Sequence, residues 1–241
     1  MYQSVNHGVY FKKTLVFFLF NLIQYTMKKY YIGLLITVLL FSITFVKANP
    51  VKSELELIGK VIYLDPGHGG TDPGAIYKDI YEKDITLSIC KKVKEILEKE
   101  GAIVYMTRYD DYDLSNSTYN RKKRDLNNRA KVINESMADM YISIHLNSID
   151  SEIWSGAQVF YDDVNSDNKR IAQIFQSNLN KNREIKEIDN MLMNRKIKIP
   201  GVLIEAGFLS NPNDRYLLKN SNYQYKLSVK VKESVIRYFN S

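Results

Sequence analysis

Hydrophobic and polar positions switch between two periods along most of this chain. Residues 60–64 (KVIYL) form a short β-rich run that ends at Asp65-Pro66-Gly67, which predicts a strand followed by a loop. From residue 84 to 100 the apolar positions are Ile85, Ile89, Val93, Ile96 and Leu97. That spacing is helical, with Asp84 as the expected cap and Gly101 as the expected stop. Residues 102–106 (AIVYM) read as a second strand. Residues 121–137 place Leu126, Ala130, Ile133 and Met137 on one helical stripe. A third strand is expected at 140–144, a fourth at 157–161, and a late one at 201–204. Between and after them, Ile171, Ile174, Phe175 and Leu179 mark one more helix, and Leu227, Val231, Val235 and Phe239 mark a C-terminal one. Strands alternating with helices predict a single α/β domain with a mostly parallel sheet flanked by helices. Ligands of such sheets sit outside the carboxyl ends of the strands.

The N-terminus does not fit that alternation. From Met27 the chain reads Met-Lys-Lys, then an uncharged run over 30–46, then Lys47-Ala48-Asn49-Pro50. A positive start, an apolar run and a small residue resemble a secretory signal cut after Ala48. The alternative is an uncleaved membrane anchor, for which the run is at the lower limit of length. A second Lys-Lys and apolar run lies in residues 1–26, so either the leader is long or Met27 is the start. The expected layout is a leader over 1–48 that engages the membrane or secretion machinery, and an exported catalytic domain over 49–241.

Charge supports this division. The chain has 34 Lys plus Arg against 27 Asp plus Glu, a net of +7, which invites a nucleic-acid reading. Five of those charges are Lys12, Lys13, Lys28, Lys29 and Lys47 in a leader without a single acid. The remainder is nearly balanced, and no nucleic-acid partner is expected. Cys90 is the only cysteine, so no intrachain disulfide can form. Its helical position marks it as a packing residue, not a nucleophile.

Candidate chemistry collects at predicted strand ends. His68 follows the first strand in Asp65-Pro66-Gly67-His68-Gly69-Gly70, His145 ends the third, and Glu205 ends the late one; Glu82 lies on the loop after the first. Two His and a carboxylate suit a zinc ion with one coordination position open for water. A further carboxylate such as Glu205 could move the water proton. On chemistry alone Glu82 is not separable from Asp79 and Asp84. The glycine-rich loop could instead cradle phosphate, but it lacks the Lys-Ser/Thr of a P-loop.

The full set of segments resembles the zinc-dependent N-acetylmuramoyl-L-alanine amidases of bacterial cell walls. The matching pieces are YLDPGHGGTDPGA (63–75), EKD (82–84), YMTR (105–108), NRAKVIN (128–134), ADMYISIHLNS (138–148), SGAQVFY (155–161) and IPGVLIEAGFLSNP (199–212). The resemblance implies one Zn²⁺ per chain on His68, Glu82 and His145, Glu205 as the catalytic carboxylate, and a roughly six-stranded sheet. RKKRDLNNR (121–129), WSGAQVFY (154–161) and MLMNRKIKIPGVLIEAGFLSNP (191–212) look closest to the spore-cortex, germination-related amidases. Those enzymes act on peptidoglycan outside the cytoplasmic membrane, before muramic δ-lactam formation; the sequence identifies no accessory sporulation protein. A vegetative cell-wall autolysin and a zinc peptidase of the stem peptide are the alternatives. Arg129 and Asn147 are candidate substrate contacts, against structural readings in which Arg129 pairs with an acid and Asn147 caps a loop. Trp154 could stack on a sugar or simply pack. The long polar stretch 109–120 departs from the general pattern and bears on the shape of the site's rim.

Overall fold

The computed structural model describes residues 6–45, 55–189 and 191–241. The chain divides into two compact units, residues 1–52 and 53–241. The described residues of the first form a helix, α1 (Asn6–Phe45). Among the described residues no helix is long and apolar enough to cross a membrane, and the expected cleavage point at Ala48 lies outside the described residues.

The second unit is the expected α/β domain. In chain order it contains β1 (Val61–Pro66), β2 (Ile76–Tyr77), β3 (Ile80–Tyr81), α2 (Glu82–Lys99), β4 (Ile103–Met106), α3 (Arg121–Glu135), β5 (Met140–Asn147) and β6 (Gln158–Tyr161). It continues with α4 (Asn168–Leu179), β7 (Lys186–Glu187), β8 (Gly201–Phe208), α5 (Pro212–Lys219) and α6 (Ser221–Phe239). Six strands form one sheet in the order β4-β1-β5-β8-β6-β7. The first four are parallel. The strand β6 runs antiparallel to β8, and β7 follows β6 in parallel. Because of that reversal, the start of β6 lies at the same rim as the ends of β5 and β8.

Side chains alternate across the sheet, so each strand feeds two layers. Ile62, Leu64, Ile142, Ile144, Val202 and Ile204 join the main core with Ile89, Val93 and Leu97 of α2, Phe175 of α4 and Val231 and Val235 of α6. Tyr141 packs in a smaller cluster with Ala130 and Ile133 of α3, together with Met193 and Ile197. Cys90 is fully buried in the main core, where burial pushes its thiol well above the ordinary range. It is the packing residue its position suggested.

Boundaries differ where tertiary pairing overrides local pattern. The helix α2 starts at Glu82, not Asp84, with Tyr81 as its cap residue and no side-chain cap bond. Glu82 and Asp84 both fall in its first turn, where carboxylates complement the helix dipole. The strands β5 and β8 run past their expected ends, through His145 and Glu205, because backbone pairing continues to Asn147 and Phe208. Helix α3 stops at Glu135; Met137 takes a positive φ of 54° and is 87% exposed, so it leaves the apolar stripe.

Candidate metal centre

After β1 the chain turns sharply at Gly67 and His68. A Cβ on Gly67 would lie 2.3 Å from Cε1 of His145, so only glycine lets this turn pass beneath that ring. His68 itself has φ 62°, a conformation costly for a residue with a side chain. Two buried arginines hold it there. Arg108 donates to the carbonyls of Pro66 (3.0 Å), Gly67 (2.9 Å) and Lys83 (2.7 Å). Arg129 donates to the carbonyls of Pro66 (2.7 Å) and His68 (2.5 Å).

Arg129 is therefore not placed to meet substrate. It is 1% exposed and lies between Asp65 and Asp125, each 2.8 Å away. The structural alternative, pairing with a nearby acid, replaces the substrate-contact expectation. Asp65 also accepts from Ser143 and Thr107, each at 2.7 Å. Burial alone would raise the Asp65 pKa, but Arg129 and these hydroxyls outweigh it and hold the carboxyl below its ordinary range.

Three side chains converge above this base. Ligand atoms of His68, Glu82 and His145 all lie within 4.8 Å of one another. Glu82 Oε1 is 3.2 Å from His68 Nε2 and 3.1 Å from His145 Nδ1. Atoms bound tetrahedrally to zinc at about 2.0–2.1 Å stand about 3.3 Å apart, so the donor types and the two Glu82–His separations suit that ion. Backbone N–H groups of Leu146 and Ala75, each 2.8 Å away, orient the Glu82 carboxylate. Burial would raise the Glu82 pKa, yet the hydrogen bonds to His145 and His68 keep it well below the carboxylate range. Asp79 and Asp84, which the sequence left as rivals, are both exposed.

Two further carboxylates complete the surroundings. Asp72 Oδ2 stands 3.0 Å from His68 Nδ1. In the neutral tautomer that donates Nδ1–H there, the Nε2 lone pair would lie on the Glu82 side, where a metal would take it. Burial lowers the His68 pKa, but the bonds to Asp72 and Glu82 bring it up to about 9. Glu205 sits opposite His145 in the β5–β8 register. Its Oε2 is buried without a hydrogen-bond partner. Burial pushes this carboxyl up to about 7, partly countered by His145.

Sequence reasoning missed Asp65, Asp72 and Arg108. For Asp72 a signal existed: an acid four residues beyond His68, within reach of its ring. Asn147 ends β5 half-buried and lines a cleft of about 620 Å³ with Trp154, Arg183 and Phe208. Trp154 is 50% exposed, so it is not a core packing residue.

The family profile of N-acetylmuramoyl-L-alanine amidases matches residues 62–237. The chain is 42% identical to the germination-specific N-acetylmuramoyl-L-alanine amidase of Bacillus subtilis, over 86% of this chain and 92% of that protein. It is 35% identical to the probable cell wall amidase LytH of Staphylococcus aureus, over 80% of this chain and 63% of that one. Among solved structures it is similar to the CwlD amidase of Clostridioides difficile in complex with the GerS lipoprotein. The TM-score is 0.72 at 38% identity, covering 75% of this chain and 98% of that one.

Proposed function

The chain belongs to the N-acetylmuramoyl-L-alanine amidase family, and on that premise we propose that it is a zinc enzyme of the spore cortex. The activity of the family is hydrolysis of the amide between N-acetylmuramic acid and L-alanine in peptidoglycan. The observation that carries the zinc reading is the convergence of His68, Glu82 and His145 beside an unpartnered buried oxygen of Glu205. The cortex reading rests on the likeness to the germination-specific relative.

In this reading His68, Glu82 and His145 hold the ion. Zinc bound there supplies a Lewis acid that polarises the scissile carbonyl and acidifies water. Asp72 fixes the His68 tautomer through Nδ1. Glu205 accepts a proton at Oε2 from the attacking water and delivers it to the alanine nitrogen as the C–N bond breaks. A carboxyl raised toward neutrality suits both halves of that transfer. Asn147 and Trp154 border the path of the substrate.

The leader over 1–48 and catalytic domain over 49–241 complete the proposal, with the domain acting outside the cytoplasmic membrane. A lipoprotein accompanies the similar clostridial amidase, which supports an accessory lipoprotein here. The runner-up role is vegetative wall turnover, favoured by the likeness to a probable cell wall amidase.

Digestion of purified peptidoglycan by residues 49–241, with and without chelator, tests the chemistry. New L-alanine amino termini without new reducing ends, abolished by chelator and restored by zinc, are expected. Activity indifferent to chelator would overturn the zinc reading. Loss of cortex muramic δ-lactam in spores lacking the gene is the expected cellular result; normal δ-lactam content would favour the vegetative role.

A further inference from the structure

Arg183 occupies an unusual setting at the rim. Its guanidinium lies over the ring of Phe208 at 4.8 Å and that of Trp154 at 5.3 Å. Its Nε donates to the Ser155 carbonyl at 3.2 Å, and Nη1 donates to the side chain of Gln158. Gln158 is 3% exposed and is itself anchored on the Glu184 carbonyl. This is a fixed arginine, not a waving surface cation. Yet among the described residues no carboxylate lies within ion-pair distance of it, and Nη2 has no hydrogen-bond partner. Lys186, on the same cleft, also has no ion-pair partner among the described residues.

The position of this cation follows from strand register. Gln158 pairs with Glu205 across the antiparallel β6–β8 ladder, and cross-strand partners project to the same face of a sheet. Glu205 in turn pairs with His145. The cleft bounded by Asn147, Trp154 and Arg183 therefore adjoins the reacting centre on the β6 side. Holding an arginine stacked and hydrogen-bonded through Nε and Nη1, but without a counter-ion, leaves Nη2 and the guanidinium charge free to meet an anion.

Resting on the amidase reading, we infer that Arg183, stacked on Trp154 and Phe208, is a specificity residue that binds a carboxylate of the substrate's stem peptide. The acidic residue that follows alanine in peptidoglycan stems supplies such a group on the leaving side of the scissile bond. Lys186 adds a second positive charge to the cleft, whose lining also holds the carboxylate of Glu184.

The test uses two soluble muropeptides that differ only in whether that acidic residue is free or fully amidated. Zinc-loaded wild-type protein is expected to cleave the free acid with about tenfold or greater kcat/KM, the scale of one charge-assisted hydrogen bond. Arg183→Gln is expected to abolish the preference, with the loss falling on KM, and Arg183→Lys to restore part of it. Equal cleavage of the two peptides by the wild-type protein, or a preference retained in Arg183→Gln, would overturn the assignment without touching the amidase reading. Cleavage of neither peptide by the wild-type protein would sink both.

Discussion

At the scale of single residues, the proposed mechanism gives the two carboxylates Glu205 and Asp72 different tasks. Glu205→Gln keeps shape and removes the exchangeable proton site. It is expected to retain metal and to lose about 10²–10⁴-fold in hydrolysis, the usual contribution of a positioned acid–base group. Metal content and peptidoglycan digestion measured on one preparation check this; near-wild-type activity would remove Glu205 from the reaction. Asp72→Asn keeps a hydrogen-bonding partner for His68 but no charge. Zinc affinity is expected to fall about 10–100-fold, read by competition with a chromophoric chelator, and an unchanged affinity would deny Asp72 its role. His68, His145 and Glu205 were legible as candidates because each stands where an apolar run stops. Glu82 was legible only through family resemblance. What separates it from Asp79 and Asp84 is that it is buried and they are exposed, and burial is a property of the assembled fold. For Arg129 the sequence leaves substrate contact and acid pairing both open; Asp125, four residues earlier, is a local sign of the pairing, whereas Asp65 on another element cannot be read from the sequence.

Elements were legible in proportion to their length and period. Helices α2, α3, α4 and α6 show an apolar stripe, and β1, β4, β5, β6 and β8 an apolar run. The strands β2, β3 and β7 have two residues each and so carry no period. Helix α5 was missed although its start is marked: Asn211 accepts from the N–H groups of Asn213 and Asp214, and Pro212 takes the first position. The joint between β1, β4, β5 and α3 is the buried ion pair of Asp65 with Arg129, and its removal tests how firmly the elements are tied. Asp65→Asn leaves the buried Arg129 guanidinium with Asp125 as its remaining counter-ion, with an expected loss of about 1–3 kcal/mol of stability, read from denaturant midpoints. The sign with pH follows from the depressed Asp65 pKa. Its contribution is present above the unfolded-state value near ~4 and is lost as the pH falls below it. The variant's stability should therefore depend less steeply on pH in the acid range than that of the wild-type protein; identical slopes would argue against this coupling.

For the whole molecule, the α/β class and parallel majority followed from alternation alone, but the reversal of β6 did not. No run of residues announces strand direction; it depends on where the chain re-enters the sheet. That reversal puts Gln158 at the active rim and so brings Arg183 there. Residues 53–241 form one compact unit and are expected to melt as a single cooperative transition. Zinc at about a hundred times its dissociation constant should add about 2.7 kcal/mol to that unit, visible as a higher Tm in calorimetry. A Tm unmoved by zinc would speak against a preformed site.

The three converging side chains come from a loop after β1, the first residue of α2 and the far end of β5, segments that touch only once the sheet has closed. No stretch of the unfolded chain holds two of them at a fixed distance. On the proposed reading, a nascent or unfolded polypeptide therefore carries no assembled site. With that site as the hydrolytic centre, the proposed capacity to cut peptidoglycan switches on with folding, so the place where this chain folds is also the place where it becomes dangerous to a wall.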